Sequence, residues 1–222
     1  MSQWLLGIPS VVLIGGYAYW YFRNYRKRRD QYAAAAAEHG WAYQERDRDL
    51  LGRCHGYPFN DGRRPRAWHV VTGTNGDREF TSFEYSAVFG HDDAESSDRA
   101  ERQFTQVFAL QLPGAAPDLT VRPRGMLGQL AHGLKTSSSG SSDFDRSWAV
   151  DGAPADLSPQ VRSWVTTHRR PFRLVAGQLW TWADGRMDLA RIEPALNDLH
   201  QLADALSRQL PPPASASGGH HA

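Results

Sequence analysis

The sequence predicts an α+β fold: an N-terminal transmembrane helix, then one soluble domain with a mainly antiparallel sheet and helices packed on it. Three observations carry this expectation. Trp4–Phe22 is a run of 19 uncharged, mostly apolar residues followed at once by basic ones. Short runs that alternate apolar and polar side chains, the period of a half-buried strand, recur between residues 41 and 182. Residues 192–210 carry apolar side chains at steps of four and three, the spacing of one helix face.

The apolar run comes first. At about 1.5 Å per residue it reaches roughly 28 Å, close to the ~30 Å hydrocarbon thickness of a bilayer. Tyr17, Tyr19, Trp20 and Tyr21 close it like an interfacial aromatic belt. Arg23, Arg26, Lys27, Arg28 and Arg29 follow and mark the cytoplasmic end. A cleaved signal peptide is disfavoured, because Met1-Ser2-Gln3 holds no basic side chain and bulky rings occupy the cleavage position. A buried core helix is seldom this long without a charge. The expectation is a single-pass protein of the inner (plasma) membrane, with residues 1–3 outside, 4–22 spanning and the C-terminal part cytoplasmic. Residues 23–39 form a basic juxtamembrane helix, with Gly40 placed as its C-cap.

Residues 40–212 then form the α+β domain. Trp41–Glu45 alternates like a strand, and Asp47–Arg53 reads as a turn or short helical link. Ala67–Thr74 and Glu79–Val88 flank Asn75-Gly76-Asp77, a strong short-range hairpin signal. An acidic loop over 91–101 leads to a strand over Phe104–Leu112 and a short one over Leu119–Val121. Met126–Leu134 reads as a short helix or irregular segment and Thr136–Ser142 as a flexible loop, with a strand resuming over Phe144–Val150. Ser158-Pro159 pairs an N-cap with a proline at the first helical position, predicting a helix over Gln160–His168. Phe172–Val175 and Leu179–Trp182 make a second hairpin. A last helix carries Ile192, Leu196, Leu199, Ala203, Leu206 and Leu210 on one face, and Pro211–Pro213 ends it before a disordered tail over 213–222.

Charge and composition narrow the function. The chain is formally +1, but residues 1–37 hold five basic side chains and one acidic, leaving the remainder at −3. A net-negative domain argues against a general nucleic-acid binder. All but two of the 25 basic residues are arginine, the exceptions being Lys27 and Lys135, which reads as coding bias. A single cysteine, Cys54, excludes an intramolecular disulfide framework.

The chemical signatures are few. No Cys-x-x-Cys, His-Glu-x-x-His, Gly-x-Ser-x-Gly or Gly-x-Gly-x-x-Gly occurs. Gly128 to Thr136 approaches a phosphate-binding loop, but Leu134 separates the second glycine from Lys135 and a serine-rich loop replaces the helix. No two histidines stand at i, i+4, and His91-Asp92-Asp93 reads as a solvated acidic loop, so no metal or cofactor is expected. Cys54 and His55 are adjacent, which on a strand sends them to opposite faces. Arg63, Arg64 and Arg66 form one basic loop, and Arg169 with Arg170 a second cluster; either suits a phosphate or an acidic partner segment.

Gly40-Trp41-Ala42-Tyr43, Tyr57-Pro58-Phe59, His69–Gly73 and Phe80–Tyr85 resemble uncharacterised actinobacterial membrane-anchored proteins, with the similarity continuing through Phe144–Val150 and Leu179–Arg186. The resemblance implies architecture and brings no catalytic residues. The functional expectation is a membrane-tethered cytoplasmic domain that binds a protein or ligand as an accessory subunit, with the bilayer and a protein as partners. The opposing expectation is a hydrolase-like enzyme built around Cys54, His55 or His69. A scaffold acting through anchor self-association is a third, though the run lacks a clear Gly-x-x-x-Gly face.

Overall fold

A computed structural model describes residues 7–54, 56–59, 62–89, 101–114, 116–125, 143–154 and 156–209, without the side chains of 7–15, 17, 18 and 21. Helix α1 spans Gly7–Glu38 and leads into strand β1, Ala42–Arg46. Strands β2 (Arg63–Asn75), β3 (Arg78–Phe89), β4 (Glu101–Gln111) and β5 (Leu119–Pro123) follow. Then come α2 (Asp143–Ser147), β6 (Trp148–Gly152), α3 (Pro159–His168), β7 (Phe172–Val175), β8 (Gln178–Asp184) and α4 (Ile192–Ser207). The eight strands form one sheet in the order β1-β2-β3-β4-β8-β7-β5-β6. Every neighbouring pair runs antiparallel.

The sheet is covered on both faces. On one, α4 buries Ile192, Leu196, Leu199, Leu202, Ala203 and Leu206 with Val161, Trp164 and Val165 of α3, against Phe80, Phe108 and Leu110 of the central strands. On the other, Leu50 and Phe59 pack on Phe83, Tyr85, Val107, Trp180 and Trp182. Leu50 comes from a 3-10 turn, Asp49–Gly52. The alternation of β3 explains the split, since successive side chains of a strand point to opposite faces. Phe80, Ser82, Glu84 and Ser86 face the helices, and Phe83, Tyr85 and Ala87 face the turn.

Several local signals act as the residue chemistry requires. Gly40 has φ +71°. Its N–H donates to Ala37 O (3.0 Å) and that of Trp41 to Ala36 O (2.8 Å), the two bonds of a Schellman cap. Ser158 Oγ accepts from the Val161 N–H with Pro159 at the helix start. Asn75 pairs with Arg78, so the first hairpin turns on Gly76-Asp77. The sequence suggests Asn75-Gly76 as the central pair; the glycine, with φ +63°, instead takes the first central position. Ala176 (φ 49°) and Gly177 (φ 74°) turn the second hairpin.

The transmembrane helix of the expected fold class requires correction. Among the described residues, helix α1 starts at Gly7 and carries no charge as far as Phe22. It then runs unbroken through Arg23–Arg29 to Glu38, and this charged half lies on the sheet. Among the described residues, no helix is long and apolar enough to cross a membrane. The single-pass placement at the inner membrane, N-terminus out and domain cytoplasmic, loses its basis with it. Residues 23–38, expected to be helical, continue α1 without a break.

Two smaller corrections follow. Arg63–Arg66, expected as a loop, opens β2. Phe144–Val150, expected as a strand, begins with α2, where Arg146 pairs with Asp143 and Phe144 turns into the core. The acidic loop beyond its last residue, Glu101, lies outside the described residues, as do Met126–Leu134, Thr136–Ser142 and the tail from residue 210.

Candidate functional site

Beyond the apolar half of the helix-covered face, the sheet turns polar. Ser82, Glu84 and Ser86 of β3 are all buried, as is Gln106 of β4, which pairs opposite Glu84. The basic half of α1 lies over this strip. Tyr25 OH donates to Glu45 Oε1 (2.5 Å), Tyr32 OH donates to Met187 O (2.8 Å), and Ala36 is fully buried. The segment after β8 closes the far side: the Met187 N–H donates to Glu84 Oε2 (2.9 Å), and Gln106 Nε2 donates to Asp188 O (2.9 Å).

A cleft of about 220 Å³ opens between these elements, lined by Tyr25, Arg28, Arg66, Trp68, His69, Glu84, Ser86, Arg102, Phe104 and Arg186. Two irregularities of β2 shape it. The register against β3 slips between Arg63 and Arg66 and again between Trp68 and Val71. Non-glycine residues with positive φ sit at both slips, Arg64 (52°) and His69 (50°). These are β-bulges, which re-aim side chains by inserting one extra residue. The second turns His69 toward α1, where its ring lies 4.7 Å from that of Tyr32.

His69 is buried, and its Nδ1 is 2.8 Å from Tyr43 OH. Burial, then the Arg28 guanidinium, pushes its pKa down to about 4, so the ring is neutral near pH 7. Burial, then Glu45, raises the Tyr43 phenol. The hydroxyl is therefore protonated and hydrogen-bonds a neutral imidazole. That bond ties β1 to β2, and the ring's contact with Tyr32 ties β2 to α1; the pair does not poise a base.

The guanidiniums around it differ in kind. Arg186 stacks 4.0 Å from the centre of the Phe104 ring. Trp68 lies under Arg46 at 3.8 Å and near Arg66 at 6.0 Å. Arg28 Nη2 donates to Tyr32 OH (3.2 Å), and Arg102 Nη1 donates to Ser86 Oγ (3.1 Å) and Ser86 O (3.3 Å). Arg102 is shifted below its ordinary range by burial first, then by the neighbouring charges of Arg66 and Arg64. Among the described residues, no carboxylate forms an ion pair with Arg28, Arg66, Arg102 or Arg186.

The residues singled out from the sequence distribute unevenly. Arg28 and Arg66 enter the cleft, and Arg64 touches its rim by accepting from Arg102 Nη1 (3.4 Å). Arg63 opens β2 away from the lining. Arg169 caps α3 with φ 50°, and Arg170 Nη1 bonds Asp198 Oδ2 (3.3 Å). This second cluster leads into β7, four strands from β2, roughly 19 Å at ~4.8 Å per strand. The two basic clusters are therefore not one site. Of the expected interfacial residues, Tyr19, Trp20, Arg23, Arg26 and Lys27 are exposed on α1, and Arg29 pairs with Asp30 (2.8 Å). The side chains of Tyr17 and Tyr21 lie outside the described residues.

Two members of the expected hydrolase constellation, Cys54 and His69, are not brought together. Cys54 packs with the cluster on one face of the sheet and His69 lies on the other, while His55 is outside the described residues. Burial pushes the Cys54 thiol up to about 12, the opposite of what a thiolate nucleophile needs. Among the described residues, no group of three or more His, Cys, Asp or Glu side chains is placed to hold a metal. Arg102, Arg186, Glu84 and Gln106 were not singled out in the sequence. The signal for them was the alternation Ser82-x-Glu84-x-Ser86, polar on a strand whose other face is apolar.

No family model matches the chain, and no curated protein matches it. Among solved structures, the chain is similar to the crystal structure of the mycobacterial trehalose monomycolate transport factor A, TtfA, with a TM-score of 0.51 and 20% identity over 83% of this chain and 96% of that one. At that identity the likeness establishes a shared fold. A mycobacterial neighbour is consistent with the actinobacterial resemblance.

Proposed function

We propose that this chain is an accessory binding factor and that the arginine-lined cleft beneath α1 is where it binds. The observation that carries the reading is four guanidiniums gathered around one small cleft without a paired carboxylate among the described residues. Such a cluster is self-repelling until an anionic group enters, so its favourable state is the occupied one. Tyr25 and His69 of the cleft hold α1 to the sheet and leave the arginines as the charged groups that face a ligand. That the similar fold belongs to a transport factor supports an accessory role over a catalytic one.

The test uses the full tagged chain expressed in its source organism, comparing native protein with an Arg66→Gln/Arg186→Gln variant. Arg122→Gln, which breaks a surface pair with Asp151, serves as the control. A partner or ligand that co-purifies with the native and control chains should be lost from the cleft variant while its circular dichroism is unchanged. An unchanged set of companions on the cleft variant would contradict the reading.

A further inference from the structure

We infer that the cleft is a site for a tetrahedral phosphate-type oxyanion, either free or as the head of a phosphate monoester. This rests on the reading of the cleft as the binding site and names the chemistry of what enters. Size argues first. About 220 Å³ falls below the roughly 300–1,000 Å³ of pockets that enclose drug-sized ligands, so a compact head group fits and a whole large molecule does not.

Charge argues second. Arg28, Arg66, Arg102 and Arg186 line the cleft against one carboxylate, Glu84, which already accepts from the Met187 N–H. His69, neutral near pH 7, adds nothing to either side. An excess of positive charge of this size favours a dianion over a monoanion. Guanidiniums also present paired N–H donors that match the oxygens of phosphate.

Preparation argues third. Three of the arginines are already held by a neighbour, Arg28 by the Tyr32 hydroxyl, Arg102 by Ser86 and Arg186 by the Phe104 ring, while Arg66 stands 6.0 Å from the Trp68 ring. Side chains ordered in advance lose less entropy when a ligand arrives. Aromatic faces hold a cation in place without neutralising it, as a carboxylate would. Ser86 Oγ accepts from Arg102 and keeps its own proton to donate to an oxygen of the ligand.

Calorimetric titration of the full chain with inorganic phosphate, glycerol phosphate and acetate tests this. Saturable one-to-one binding of phosphate is expected, with acetate at least tenfold weaker. Arg66→Gln and Arg186→Gln should each weaken phosphate about tenfold, while Arg122→Gln should leave it unchanged. Tighter binding of glycerol phosphate than of inorganic phosphate identifies a monoester as the occupant, and the reverse order identifies the free ion; either supports the site. Absence of saturable binding by both, or equal binding by the cleft variants, overturns it. If the native chain ignores both phosphates yet the Arg66→Gln/Arg186→Gln variant loses its companions, the phosphate assignment fails and the binding cleft stands.

Discussion

His69 shows how one residue can join a helix to a sheet and report on it. Its positive φ of 50° is uncommon outside glycine, though histidine, like asparagine and aspartate, adopts it more readily than most, and Tyr32, Tyr43 and the bulge fix the ring. Its pKa is depressed to about 4 from an ordinary 6.5, so between those values the unfolded chain binds more protons than the folded one. The stability due to a neutral His69 is present above pH 6.5 and lost as the pH falls through about 4, on the order of 3 kcal/mol in all. Urea unfolding from pH 7 to pH 4 should show a decline of that direction, and His69→Asn should remove His69's share. Asparagine tolerates the left-handed backbone and cannot titrate, which makes it the informative replacement. A native and a variant curve of equal slope would contradict the assignment.

At the scale of elements, helix α1 owes its position to its C-terminal cap. Gly40 allows the chain to reverse into β1, placing Trp41 against Phe80 at 5.1 Å between ring centres and bringing Tyr43 within hydrogen-bond reach of His69. Gly40→Ala should cost about 1–2 kcal/mol, the penalty of a left-handed backbone for a residue with a Cβ. Its thermal unfolding curve, beside that of the native chain, measures this. A change within error would mean that the cap does not hold the helix. The sequence made this cap, the Ser158 cap and both hairpins readable because each depends on a few adjacent residues. It misled where the determinant was distant. The apolar run read as membrane-spanning on length and flanking charge, although the helix it belongs to continues unbroken through those charges to Glu38, where its second half packs on the sheet. Arg63–Arg66 read as a loop because a proline among arginines hides a bulged strand, which only its pairing with β3 reveals.

The whole molecule is an antiparallel sheet buried on both faces, whose helix-covered face changes from apolar to polar along its length. Under α4 it is an ordinary core; under α1 it becomes a cleft lined by arginine. No stretch of sequence contains that cleft, because its residues come from α1, β2, β3, β4 and the turn after β8. Half of the arginines proposed to act there, Arg28 and Arg66, stood out as local basic clusters, and Arg102 and Arg186 did not. The shared fold with a transport factor sits beside this geometry without specifying its ligand. The most direct measurement is a two-dimensional NMR spectrum of the arginine Nε–Hε groups of the full chain as inorganic phosphate is added. The account predicts saturable shifts for Arg66, Arg102 and Arg186, with Arg169 and Arg170 unmoved. Shifts spread evenly over all the arginines, or none at the cleft, would contradict it.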